Sequence, residues 1–318
     1  MLNVEPTVTD RREVIVGYAD VEWSILNSSF TIAAKRESFN HQNSKFKTQN
    51  CKKDFIMDNQ NMVQSGGTGI SPKAKIGQNC KIYPFVYIED DVVIGDNCVI
   101  FPFVSILNGT RMGNNNQVHQ GSVVSALPQD FNFKGDQTEC VIGNDNVIRE
   151  NVVINRATHA GGQTVIGDHN CLMEGAHVSH DTKIGNYCVL GYGTKIAGDC
   201  VIGDAVIFST GVIENAGTRV GDGAMIKAGT TFSKDVPPYI VAGGKPIGYN
   251  GPNTTMLTLG GISEKVQKHV ANAYRLVFNG QASLFDVILQ IKDQVPDSPE
   301  IQTIVRFLES SKGIITKN

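Results

Sequence analysis

From Ile70 onward an aliphatic or similar residue recurs at every sixth position: Ile70, Ile76, Ile82, Ile88, Ile94, Ile100, Ile106, Met112, Val118 and Val124. Neither the helical period of about 3.6 nor strand alternation generates a strict six, so a hexapeptide repeat governs every later reading. The series resumes at Ile142, Ile148 and Ile154, then runs from Ile166 through Leu172, Val178, Ile184, Leu190, Ile196, Ile202 and Phe208 to Val220 and Ile226. An aliphatic-Gly pair, as in Ile76-Gly77, Ile94-Gly95, Ile184-Gly185 and Ile202-Gly203, recurs mostly every 18 residues. Three hexapeptides therefore make one coil of a triangular parallel β-helix, a solenoid whose coils bury their aliphatic residues only against neighbouring coils. The glycine suits a corner that needs either positive φ or close backbone approach.

Two details of the repeat carry expectations. Glu214 is the only charged residue in the aliphatic series. An unpaired buried carboxylate is costly, so the repeat should slip there or Glu214 should find a donor. The seven cysteines contain no Cys-x-x-Cys pair and fit neither a disulfide framework nor a zinc knuckle. Cys80, Cys98, Cys140, Cys188 and Cys200 instead fall in a small-residue corner slot, where free Cys is buried and inert.

The 18-residue spacing fails twice, between Met112 and Ile142 and between Ile142 and Ile166, so loops of 12 and 6 residues leave the coil near 126–137 and 157–163. Loops extruded from a rigid scaffold tend to carry binding residues. The expected organisation is a poorly ordered extension over 1–69, the β-helix over 70–232, Pro- and Gly-rich connecting loops over 233–262, and a helical domain over 263–318. In that last part Val266, Val270, Ala273 and Leu276 share one helical face behind an N-cap at Ser263. A second helix should run from Ser283 to about Lys292, and a third from about Pro299 with Ile301, Ile304, Phe307 and Leu308 inward.

A formal net charge of -3 over 318 residues gives no reason to expect a nucleic-acid partner. No apolar run approaches the roughly 20 residues of a membrane span, and no charged start followed by an apolar stretch marks a secretory signal, which points to the cytoplasm.

The stretch "GAHVSHDT", 175–182, holds the candidate chemistry. Val178 takes the inward slot, so His177 and Ser179 cannot share it, and His180 lies two residues on, outside the core. Histidine titrates near neutrality, and a His–Asp pair is a natural general base with a partner for its imidazolium.

These residues, with "PQDFNFKGD", "VIRENVVINRAT", "CLMEGAHVSHD", "KDVPPYIVAGGKPIGYN" and the ending "NAYRLVF…SSKGII", resemble the acyl-[acyl-carrier-protein]–UDP-N-acetylglucosamine O-acyltransferase family over about 70–316. The resemblance implies a mainly β, left-handed parallel β-helix with a C-terminal helical domain, assembled as a homotrimer with active sites in the clefts between subunits. It also implies an acyl-carrier-protein donor, UDP-N-acetylglucosamine as acceptor in the opening reaction of lipid A synthesis, and neither cofactor nor metal. Carried over by position, His180 is the general base, Asp181 its partner, and Gly198 offers a backbone amide to the oxyanion. His177, Gln129, Asp130 and Asn250 match substrate-binding positions.

The departures are specific. Asp199 stands where the family usually has histidine, and Asn215-Ala216 where it has His-Gln. The Arg-Arg expected before Ser263 is replaced by "MLTLGGI", which leaves Lys245, Lys134 and Arg219 as the nearest candidates for the diphosphate. Three alternatives stay open: a relative acylating another nucleotide sugar, a non-catalytic trimeric scaffold, and a metal hydratase drawing on His119, His159 and His169.

Overall fold

A computed structural model describes residues 68–280 and 282–317, so the extension over 1–69 lies outside the described residues apart from Thr68 and Gly69. The chain forms a left-handed parallel β-helix followed by helices. Three sheets make its sides. A nine-stranded sheet runs from Gly69–Ile70 to Thr231–Phe232, and an eight-stranded one from Lys75–Ile76 to Arg219–Val220. The third begins at Lys81–Ile82, passes Met225–Ile226, and continues through Ile240–Gly243 and Gly248–Pro252 to Thr316–Lys317. Successive coils pair in register, as in Lys183↔Val201 and Val201↔Arg219. The inward aliphatic residues form one continuous buried column. Full burial of one such side chain stabilises by about 1.5–3 kcal/mol, and only stacking supplies it.

Of the two roles open to the aliphatic-Gly glycine, close approach is the one the fold uses. A Cβ on Gly113 would lie 2.5 Å from Asn144 Oδ1 and 2.7 Å from the Gly143 carbonyl oxygen of the next coil. That Asn144 oxygen accepts the Asn114 amide at 2.8 Å, one step of a ladder that repeats at Asp96, Asn114, Asp168, Asn186, Asp204 and Asp222. Positive φ falls two residues later, at Asn79, Asn97, Asn115, Asp145, His169 and Tyr187.

Cys98, Cys140, Cys188 and Cys200 are buried in the small slot, and Cys80 is half-buried near the open end of the stack. Burial pushes the Cys188 and Cys200 thiols up to about 12. The same slot holds Asn116, Asn146 and Asn170, whose buried amides bond one another and the glycine carbonyls.

Glu214 does not break the register: it pairs with Ile196 on one side and Phe232 on the other and is fully buried. The donor is Thr218, whose Oγ1 donates to Oε1 at 2.8 Å, while Oε2 is left without a partner.

Both interruptions of the period are extruded loops. Strand 139–142 pairs with 110–112 across the first, and 163–166 pairs with 139–142 across the second. The segment 233–262, read as loops, holds more order. Ile240–Gly243 and Gly248–Pro252 pair antiparallel, and helix α1 spans Thr254–Leu259 with Asn253 as its cap. Six residues between Pro and Gly are too few to display a helical period.

Helices α2 (Glu264–Asn279), α3 (Leu284–Gln294) and α4 (Pro299–Ser310) follow, capped by Ser263, Ser283 and Ser298. Val270 and Ala273 on α2 and Ile301, Ile304, Phe307 and Leu308 on α4 are buried as their spacing predicts. Buried Tyr274 ties α2 to the end of the coil by donating its hydroxyl to the Pro238 carbonyl. Among the described residues no helix is long and apolar enough to cross a membrane.

Candidate active site

His177–Val178 forms a strand of the first sheet, with Val178 fully buried and His177 half-buried on the outer face. The chain then turns a corner at 179–182. Asp181 adopts φ +60°, which aspartate tolerates better than most residues, and its amide donates to Thr164 Oγ1 at 2.9 Å. This turn brings Asp181 Oδ2 within 2.9 Å of His180 Nδ1. The same oxygen accepts the Thr158 amide at 2.9 Å, so the second extruded loop holds the carboxylate in place. With Nδ1–H donating to Asp181, Nε2 keeps its lone pair for a substrate proton.

Two further groups frame that nitrogen. Asp130, on the first extruded loop, places Oδ2 4.0 Å from Nε2. The Asn132 amide donates to Asp130 at 3.0 Å and, with His180 nearby, holds this carboxyl below the usual carboxylate range. Gly198 lies one coil beyond His180, and the imidazole rests against it. A Cβ there would lie 2.6 Å from Nε2 and 3.0 Å from Nδ1, so only glycine leaves room for the ring. The Gly198 amide donates to no group among the described residues. The arrangement offers a base, its partner and an uncommitted N–H, the elements needed to deprotonate a hydroxyl and stabilise an oxyanion.

His177 sits three residues before this pair, with its Nε2 2.9 Å from Ser179 Oγ. Burial and the adjacent Lys195 push its imidazole below the usual histidine range.

The remaining candidates are dispersed. Gln129 and Lys134 are exposed on the first loop, where Lys134 Nζ reaches the Phe131 carbonyl at 3.4 Å. Lys245 and Asn250 are exposed around the 240–252 hairpin, and no hydrogen bond or ion pair joins them to the His180 pair. Arg219 is already engaged: its guanidinium lies 4.6 Å over the Phe307 ring and donates to the Ser310 carbonyl and hydroxyl at 3.1 and 3.0 Å. Where an arginine pair was expected, α1 exposes Leu259 and carries no basic residue in its last turn. His119 stacks on Phe101 and His169 on Tyr187, while His159 is exposed on the second loop.

Two residues beside His177 were not among the sequence candidates. Lys195 pairs in register with His177 on the next coil and is exposed. The 18-residue period, applied to His177, would have found it. Alternation around Val178 puts Ser179 outside the core, and its bond to His177 comes from the fold.

Residues 73–100, 91–126 and 163–198 match the bacterial transferase hexapeptide family, and residues 235–315 match the family described as UDP N-acetylglucosamine O-acyltransferase, domain 2. The chain is 35% identical over 244 residues to the acyl-[acyl-carrier-protein]–UDP-N-acetylglucosamine O-acyltransferase of Halorhodospira halophila, covering 76% of this chain and 95% of that protein. It is 38% identical over 245 residues to the enzyme of the same name from Xanthomonas campestris, covering 76% and 93%. Among solved structures, the UDP-N-acetylglucosamine acyltransferase of Bacteroides fragilis superposes with a TM-score of 0.77 at 45% identity, covering 80% of this chain and 99% of that one.

Proposed function

Because this chain belongs to the acyl-[acyl-carrier-protein]–UDP-N-acetylglucosamine O-acyltransferase family, we propose that it moves a 3-hydroxyacyl chain from acyl-carrier protein to a hydroxyl of UDP-N-acetylglucosamine, the first step of lipid A synthesis, by the chemistry of the His180 site. The observation that carries the assignment of roles is the 2.9 Å bond between His180 Nδ1 and Asp181, which leaves Nε2 available beside Asp130.

The sugar hydroxyl attacks the thioester carbonyl carbon while His180 Nε2 takes its proton. Asp181 holds the imidazole in the tautomer this needs and stabilises the imidazolium that forms. Negative charge developing on the carbonyl oxygen is met by the Gly198 N–H, a contact of the kind whose removal costs about 3–4 kcal/mol of barrier. Collapse of the tetrahedral intermediate expels the carrier thiolate, which takes the proton back from His180. Asp130 and Gln129 bind the sugar, and His177 contacts substrate beside them.

Lys134, Lys245 and Asn250 are solvent-exposed in one chain and are read as contributions to clefts between three copies. Both substrates are water-soluble, which fits an enzyme of the cytoplasm. Substituting His180→Ala tests the assignment: transfer should vanish while circular dichroism and sedimentation as a trimer are retained. Activity within a few fold of the parent would remove His180 as base.

A further inference from the structure

Strand alternation puts Ser179 on the same outer face as His177, because Val178 between them points into the core. The Ser179 hydroxyl lies 2.9 Å from His177 Nε2 and meets no other partner among the described residues, and His177 Nδ1 meets none either. Among the described residues, three positions bear on this imidazole's charge. Val153, in register on the preceding coil, carries no charge; Lys195 faces it from the next coil; the His180–Asp181 pair follows on its own corner. Lys195 and burial both disfavour a second proton, so near neutral pH the ring is neutral with one proton for two nitrogens. Which nitrogen keeps that proton is set by the hydrogen bond the other makes.

We propose that Ser179 is a positioning residue whose hydroxyl donates to His177 Nε2, leaves the proton on Nδ1, and so turns one fixed N–H donor toward the substrate. The inference rests on the reading of His177 as a substrate-contacting group. It gives the site two imidazoles of opposite polarity: His180 bonds Asp181 through Nδ1 and accepts at Nε2, whereas His177 accepts from Ser179 at Nε2 and donates from Nδ1. A proton arriving on Nε2 would reverse this bond, because a serine hydroxyl also accepts, so the bond fixes the tautomer of the neutral ring.

Imidazole nitrogen NMR on the full chain, labelled at histidine, tests this without any turnover. The wild type should give the Nδ1–H tautomer at His177; Ser179→Ala should lose that preference; Ser179→Thr should restore it. In the acyl-transfer assay Ser179→Ala should lower kcat/KM by about two- to tenfold, the range of one hydrogen bond. Added to His177→Ala it should do nothing further. An Nε2–H tautomer in the wild type, or an unchanged His177 signal in Ser179→Ala, overturns the inference. So does an acyl adduct on Ser179 after mixing with acyl-carrier donor alone, which would make the serine a nucleophile. If the wild type transfers no acyl group, the assigned function fails, while the NMR result still decides the role of Ser179.

Discussion

Glu214→Gln should change how stability depends on pH. The carboxyl is fully buried, accepts one hydrogen bond from Thr218, and has an unpartnered Oε2, and burial raises it from 4.5 to about 8. An acid raised by folding is protonated in the native state and ionised in the unfolded state between those two values. The native state therefore binds the extra proton, and stability falls as pH rises from about 4.5 to 8. Each unit is worth about 1.4 kcal/mol, so by pH 7 the residue has cost roughly 3 kcal/mol relative to pH 4.5. Gln keeps the shape and an oxygen for Thr218. Its NH₂, placed where Oε2 has no partner, adds a penalty of about 1–3 kcal/mol that does not vary with pH. The slope of the difference is thus the diagnostic quantity. Unfolding midpoints of the two proteins, measured from pH 4.5 to 8.5 at one protein concentration, should diverge in favour of Gln as pH rises. Concentration must be held fixed because subunit association would shift both midpoints. A difference that stays flat would refute the reasoning and mean that Glu214 ionises in the fold or finds water.

Gly198→Ala should abolish transfer with the fold kept, because a Cβ there collides with the His180 ring; a crystal structure with the imidazole unmoved would contradict this. Asp181→Asn should be milder than loss of His180 in steady-state rate measurements, since the base remains though its orienting partner is weakened. Calorimetry should find UDP-N-acetylglucosamine bound more weakly than by a relative with both arginines, by about ten- to a thousandfold or more, from the loss of one or two charge-assisted contacts at about 1.5–3 kcal/mol each. Lys134→Ala or Lys245→Ala should weaken it further, and tight binding insensitive to both would displace the nucleotide site. Sedimentation at micromolar concentration should give a trimer, and a monomer alone would remove the clefts.

The coil was legible because its period is a direct image of its geometry: Ile76, Ile94 and Met112 stack on one another because they are 18 residues apart. The same rule marked the extruded loops as breaks in register and drew attention to Glu214. The period says nothing about where an outward side chain ends up. Arg219 looked free as a sequence and is held by Phe307 and Ser310, residues about 90 positions away whose approach depends on how α4 docks. Helix α1 and the 240–252 hairpin were hidden for a related reason, since both are short and are stabilised by packing onto the end of the coil, as at Asn253, whose side chain donates to the Gly223 carbonyl. At the site, the His180–Asp181 pair could be read locally. Its support from Thr158 and the room left by Gly198 come from other coils.

The reaction itself is the most direct test. The purified full chain, mixed with 3-hydroxyacyl carriers of several chain lengths and UDP-N-acetylglucosamine, should yield a sugar nucleotide heavier by one hydroxyacyl group and an equal amount of free carrier thiol by mass spectrometry. No acylated product at any chain length, with carrier and sugar recovered unchanged, would contradict the assignment.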